Sequence, residues 1–411
     1  MTKKPGSLIG GMLLITGSCV GAGMLGLPIL TGLSGFGPSF LMFVIVWLFM
    51  TSTALLLVEA NGWFSRKVNF MSIVEHSLGK WGKYLCLATC LFLFYALLVA
   101  YISGSGSLFS SLLERHSGYK SPNWAGSLFF VVVFGVVVYL GTRQVDLWNR
   151  ILMTLKIAFF VLLAFLGIRF VNPELLTYAN PSVAIFSLPL LVIAFGFHNM
   201  IPTLTSYMKG DLKRVRLAIL GGSLFAFFIY LIWEILVLGI VPVEGPNGLL
   251  ETLRLDREGS QALVAILNSP WIAVFAQGLA FFAILTSFLA QALSLVHFLS
   301  DGFKIETDRR ENPFLCLLVL VPPLILALVC PLLFFKALNF AGGFCAVLLF
   351  GIMPAVIVWI GRYRKSTKTS YVVPGGKFLL IFVLAFACFI FLFQLLNTLG
   401  IISLAKEGVY G

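Results

Sequence analysis

Residues 17–32 read GSCVGAGMLGLPILTG, and residues 194–207 read AFGFHNMIPTLTSY. Each lies in an apolar run long enough to cross a bilayer as a helix of about 20 residues, and each carries residues that such a helix resists. Gly17, Gly21, Gly23 and Gly26 precede Pro28 in the first; Gly196, His198 and Asn199 precede Pro202 in the second. Inside hydrocarbon a helix does not give up its own hydrogen bonds unless a neighbour or a cavity satisfies the freed groups. Two broken spans in corresponding halves of a chain therefore predict a binding site near the bilayer midplane. The segments also match each other, Leu27-Pro28-Ile29-Leu30-Thr31-Gly32 paralleling Ile201-Pro202-Thr203-Leu204-Thr205-Ser206.

The rest of the chain supplies the membrane that these spans need. Of 411 residues 60% are hydrophobic and 11% charged, and the mean hydropathy is +1.02. Water-soluble domains carry about 25% charged residues, so here apolar side chains must face lipid. Apolar runs at 8–33, 39–58, 85–112, 126–140, 151–171, 183–207, 217–241, 271–299, 314–334, 337–360 and 378–404 predict an all-α membrane protein of about eleven spans. No loop, 61–83 and 242–268 being the longest, holds a soluble domain, so residues 1–411 form one transmembrane unit. Span 1 runs outward and span 6 inward, as an inverted repeat of five plus five spans requires. The expected repeats are 8–171 and 183–360, with 378–404 as an added eleventh helix.

The net charge of +12 first suggests nucleic acid, but its distribution is a topology signal. With the N-terminus cytoplasmic, only Arg115, Lys120, Arg169, Arg254, Arg257, Lys336 and Lys406 of the 28 basic residues fall outside. The remaining 21, from Lys3 and Lys4 through Arg66, Lys67, Arg309, Arg310 and Lys368, fall inside. An odd number of spans then puts the C-terminus outside. The start imitates a signal peptide with Cys19 as a lipoprotein acceptor, yet Thr16 replaces the usual aliphatic residue and the apolar run continues to Leu33, so span 1 is expected to stay.

Several chemistries fall away. The seven cysteines lie in apolar stretches with no C-x-x-C and no paired histidine, so neither metal nor cofactor is expected. Gly21-Ala-Gly23-Met-Leu-Gly26 matches the dinucleotide fingerprint but has no preceding strand. Gly17-x-x-x-Gly21 also suits helix packing. Glu75 and His76 sit on an amphipathic loop stretch and read as a solvated face. No H-E-x-x-H, G-x-S-x-G or paired intramembrane aspartate supports an enzyme.

GAGMLGLP in span 1, NRILMTLK entering span 5, FGFHNMIP with SYMKGD in span 6, and TSFLAQAL with Ser300-Asp301 in span 8 together resemble the bacterial aromatic amino acid permeases. These are the tyrosine- and tryptophan-specific branch of the amino acid, polyamine and organocation superfamily. The resemblance covers most of the chain. It implies a leucine-transporter-like inverted repeat and proton-coupled uptake of an aromatic amino acid, tyrosine foremost, across the bacterial inner membrane. Sodium coupling and exchange stay open as alternatives. Glu234 and His297 depart from that pattern, standing where Gln and Asp are expected.

The residue expectations follow. Gly21, Ala22 and Gly23 offer backbone amides at the positive end of a half-helix to a substrate carboxylate. Residues 195–199 (Phe195, Gly196, Phe197, His198, Asn199) offer carbonyls to its ammonium, while Phe195, Phe197 and Tyr95 on span 3 form an aromatic wall. His198 is favoured as a site residue over a structural one. Lys156, about six residues into span 5, reads either as a snorkelling lysine or as an ammonium at the broken span 1, with Thr286 and Ser287 completing that place. Glu234 is balanced between a hydrogen-bonded structural carboxyl and a proton carrier.

Overall fold

The computed structural model describes residues 6–64, 69–119, 121–267, 269–303, 305, 311–330, 332–367, 371–402 and 404. Among the basic residues used above for sidedness, Lys3, Lys4, Arg66, Lys67, Lys120, Lys304, Arg309, Arg310, Lys368 and Lys406 lie outside the described residues.

Among the described residues every regular element is helical. Span 1 is α1 (Leu8–Cys19) and α2 (Gly23–Thr31), bent by 61° across the glycine break. α3 (Phe36–Asn61), α4 (Phe70–Ser117), α5 (Asn123–Tyr139) and α6 (Thr142–Gly167) follow. Span 6 is α7 (Leu188–Ala194), a 3-10 turn (His198–Met200) and α8 (Ile201–Tyr207), so it too breaks where its glycine and proline predict. Then come α9 (Leu212–Leu238), the short α10 (Leu249–Arg254) and α11 (Gly259–Leu267), α12 (Pro270–Phe303) and α13 (Pro313–Val329). Span 10 is α14 (Phe334–Phe340), a π-helical stretch (Ala341–Ile352) and α15 (Met353–Tyr363); α16 (Gly376–Thr398) ends the bundle.

Eight of these helices are long and apolar enough to cross a membrane, nine with the bent pair, while α5 and α13 are shorter apolar helices. Several boundaries differ from expectation, span 5 beginning at Thr142 instead of 151 and span 11 ending at Thr398 instead of 404. Span 3 extends back through the amphipathic loop as one helix kinked at Gly79 (φ 72°), because glycine alone adopts that backbone freely. Span 9 ends at Val329, not 334, and Phe334 opens the next helix after Leu332 turns through φ 60°.

Asp211 caps α9 by accepting the Arg214 amide (3.1 Å), and Asn312 caps α13 through the Phe314 amide (2.9 Å). α1 packs on α9 and α6 on α12, so spans 1, 5, 7 and 8 surround the break. Apolar side chains such as Ile157, Val161 and Phe165 of α6 stay exposed on the lipid-facing side. At the face that carries the N-terminus, Arg362 pairs with the buried Glu59 (Nε to Oε1, 2.6 Å), and both hold the Val373 peptide, whose amide reaches Glu59 at 2.7 Å.

Close helix contact rests on glycines. A Cβ at Gly342 would lie 1.8 Å from the Pro189 carbonyl oxygen, a backbone atom that has nowhere to go. Gly342→Ala should therefore lower the unfolding temperature of the purified protein by about 5 °C or more. Gly23→Ala, where a Cβ meets nothing within 4 Å, should leave it within about 1 °C.

Candidate functional site

Ending α1 at Cys19 and starting α2 at Gly23 frees carbonyls on one side and amides on the other. Local turns take up some of them: the Gly21 amide bonds the Cys19 carbonyl (2.8 Å) and the Met24 amide bonds that of Gly21 (3.2 Å). Three other spans supply further partners. Lys156 Nζ of α6 donates to the Val20 carbonyl at 2.6 Å, the Tyr230 hydroxyl of α9 to the Cys19 carbonyl at 2.7 Å, and the Ala22 amide donates to Ser287 Oγ of α12 at 3.0 Å. The Gly23 amide carries no hydrogen bond and its Cα faces open space.

The second break uses one of the same partners. Tyr230 also donates to the Ala194 carbonyl at the end of α7 (2.8 Å), so one hydroxyl proton bridges the carbonyl ends of both half-helices. Gly196 is half-buried and its carbonyl carries no hydrogen bond, whereas those of Phe195 and Phe197 accept the amides of Phe197 and Met200. Asn199 is exposed. Phe195 and Phe197 are fully buried; Phe195 stands edge-on to Phe43 and Tyr230.

His198 points away from this space. Its ring stacks on Phe350 (4.9 Å, 10°) and its Nε2 meets Thr53 Oγ1 at 2.9 Å, with Nδ1 unpartnered in the core. That is the environment of a packing histidine between α3 and span 10. Tyr95 is likewise turned aside, its hydroxyl donating to the Leu318 carbonyl of α13 at 2.8 Å. The span 3 side chain that reaches the break is Tyr101, whose hydroxyl faces Ser287.

Lys156 is 2% exposed and makes no ion pair among the described residues. Its environment is a carbonyl at the negative end of α1, not interfacial water, so the snorkelling alternative does not describe it. Ser287 shares the break, while Thr286 bonds its own helix through the Phe282 carbonyl (2.8 Å). Glu234, 1% exposed, sits higher on α9 with both carboxyl oxygens 2.9 Å from Thr31 Oγ1, which itself lies 2.6 Å from the Leu27 carbonyl. Thr31 has one proton to share among these three acceptors. His297 meets Glu311 (3.2 Å) and Thr142 (3.3 Å), half-exposed at the N-terminal face.

Toward the face carrying α10 and α11, Phe334 and Phe335 wedge against Gly26, and Phe334 also against Gly104, within 2.9–3.3 Å of where a Cβ would stand. Gly21, Gly23 and Gly196 are half-buried and Asn199 is exposed.

Tyr230, Thr31 and Tyr101 went unread in the sequence. One signal existed: Ser223, Tyr230 and Glu234 are spaced seven and four apart, a polar stripe on one face of an apolar helix. Tyr230→Phe keeps the ring and deletes only the bridging hydroxyl. The buried Ala194 carbonyl then loses its side-chain donor and the Cys19 carbonyl keeps the Gly21 amide alone, and a stability loss of about 1–3 kcal/mol is expected, read from denaturant unfolding of the purified protein.

The geometry agrees with what the chain is similar to. The family model for the tryptophan/tyrosine permease family matches residues 4–394. Tyrosine-specific transport system 1 of Haemophilus influenzae is 33% identical over 92% of this chain and 93% of its own length. The tryptophan-specific transport protein of the same organism is 30% identical over 97% and 98%. Among solved structures, MhsT in complex with L-phenylalanine superposes with a TM-score of 0.66 at 15% identity, covering 96% of this chain and 99% of that one. That likeness shows the leucine-transporter fold, and the sequence match shows the rest: the chain belongs to the tryptophan/tyrosine permease family, a family of transport proteins and not of enzymes.

Proposed function

We propose that the protein takes up an aromatic amino acid, tyrosine foremost, into a bacterial cell with a proton as the driving ion. In this reading the N-terminal face is cytoplasmic, and α5 and α13 count as spans, which gives eleven crossings and an outer C-terminus. Residues 8–171 and 183–360 form the inverted repeats, 378–404 the added helix. The substrate carboxylate docks at the free Gly23 amide and takes the Ala22 amide from Ser287, with Gly21 leaving room beside it. Its ammonium faces the free carbonyl of Gly196, near Asn199, and its ring lies against the wall formed by Phe195 and Phe197.

One observation carries the coupling: the Lys156 ammonium on the Val20 carbonyl. A buried cation bonded to the negative end of α1 holds that half-helix against α6 while it is charged and loosens its hold when the proton leaves. Since an ammonium already occupies this oxygen, sodium has little to bind there, which supports the proton over the sodium reading. Glu234, buried against Thr31, is a second proton store on the outward half of the same break. The named relatives, specific for tyrosine and tryptophan, support the substrate class.

Purified protein in proteoliposomes should accumulate labelled tyrosine under an imposed inward proton gradient in sodium-free buffer. Of the twenty amino acids as competitors, the aromatic ones should compete at least about tenfold better than the aliphatic ones. Accumulation that needs sodium, or selectivity for another class, would remove this reading. Gly23→Leu should abolish substrate binding without loss of fold, since its side chain enters the open space beside the free amide. Unchanged affinity would put the carboxylate elsewhere.

A further inference from the structure

Span 11 meets span 10 closely through glycines of the π-helical stretch: a Cβ at Gly343 would stand 2.5 Å from Gln394, and one at Gly351 3.2 Å from Ala387. Beside this contact a groove of about 440 Å³ remains, lined by Val356 and Trp359 of α15 and by Ile381, Leu384, Ala385 and Cys388 of α16. All six are apolar, and neighbouring Phe378, Phe382 and Phe389 of α16 are exposed. In a membrane-embedded chain such a surface faces hydrocarbon.

The lining residues fall on two helical stripes. Ile381, Leu384, Ala385 and Cys388 recur at three and four residues along α16, and Lys377 heads the same stripe one turn earlier. Val356, Trp359 and Tyr363 recur in the same way along α15. Both stripes end at the face that carries the N-terminus, and there they meet. The Lys377 ammonium lies over the Tyr363 ring, 5.2 Å from its centroid, and that ring stands edge-on to Trp359 at 5.5 Å. The apolar groove thus runs up through two aromatic rings to a cation. From Lys377 to Cys388 the helix rises about 16 Å, and one leaflet of hydrocarbon is about 15 Å deep.

The charges at this rim are not matched from within. Arg362 is engaged by Glu59 and the Val373 carbonyl, and Lys365 by the His76 carbonyl. Arg364 and Lys377 are exposed and make no ion pair among the described residues.

We propose that the groove between spans 10 and 11 is a site for one anionic phospholipid of the leaflet at the N-terminal face. Its phosphate sits between Lys377 and Arg364, where it gains charge-assisted contacts from two cations that lack a partner. Its glycerol lies beside Tyr363 and Trp359, amphipathic rings at headgroup depth. One acyl chain fills the groove, supplying contacts that the small Ala385 and Cys388 leave unmade. The lipid so placed fastens span 11 to span 10. A zwitterionic headgroup brings an ammonium to the same cations and binds less well. A second copy of this chain seated here about a two-fold axis would bring Arg364 and Lys377 of both copies together, and like charges oppose that. The inference needs only that the chain sits in a membrane, which its family shows, and uses neither the substrate nor the coupling reading.

Native mass spectrometry of the full-length protein in detergent tests this, with palmitoyl-oleoyl phosphatidylglycerol and the phosphatidylcholine of the same chains titrated separately. The first phosphatidylglycerol should bind at least about tenfold more tightly than the first phosphatidylcholine. Arg364→Gln/Lys377→Gln should bring the two lipids within about threefold of each other, while Arg364→Lys/Lys377→Arg, which keeps the charge, should retain the preference. Ala385→Trp fills the groove from an exposed position and should weaken the first phosphatidylglycerol at least about tenfold. An undiminished preference in the glutamine variant, or an unchanged affinity in Ala385→Trp, would overturn the proposal. So would a dimer that Ala385→Trp dissolves while lipid retention stays at the wild-type level. The readings fail separately: uptake without lipid preference removes this site and keeps transport, while lipid preference without uptake does the reverse.

Discussion

A backbone carbonyl released inside a membrane must find a donor, and most of this structure follows from where the donors stand. Breaking span 1 at 20–22 frees the Cys19 and Val20 carbonyls from the helical ladder. They are met by a phenol from α9 and an ammonium from α6. The break is therefore a junction of spans, not a local irregularity. Tyr230 extends the junction by reaching the Ala194 carbonyl as well, which ties the two broken helices together through a single proton.

That arrangement makes the site responsive. Each half-helix end is held by one or two hydrogen bonds to another span, so a ligand that competes for a partner loosens a helix at the same time. The Ala22 amide spends its bond on Ser287, and in the proposed function a substrate carboxylate would offer it a stronger, charge-assisted one. Lys156 holds the carbonyl of Val20, beside these amides, and contributes the only full charge bonded at the break among the described residues. At the end opposite the N-terminus, Phe334 and Phe335 pack against Gly26, and the Asp256 side chain of the loop before α11 accepts both their amides.

Both breaks were legible because glycine, proline and polar residues are costly inside a bilayer-length apolar run unless the helix opens there. Lys156 was legible for the same reason, a charge where charge is costly. Facing was not. Regular helices carry a period that assigns sides, but the irregular turn at 195–199 has none, so nothing in the sequence distinguished His198 packed on Phe350 from a His198 turned into the cavity. Tyr95 and Tyr101 lie on one helix, and only the packing of α13 on α4 turns the first away. Tyr230 was hidden differently, as one aromatic in a chain that is 14% aromatic. The start of span 10 was displaced because a run of apolar residues through 332–334 conceals a turn that depends on one backbone angle at Leu332.

The central claim is that the Lys156 proton couples the driving gradient to movement of the substrate. Lys156→Met reconstituted in proteoliposomes tests it when two modes are compared side by side, counterflow exchange of labelled tyrosine and accumulation driven by a proton gradient. The account predicts that exchange persists within about threefold of wild type while gradient-driven accumulation falls to the level seen without a gradient. Accumulation at the wild-type level in that variant would contradict it.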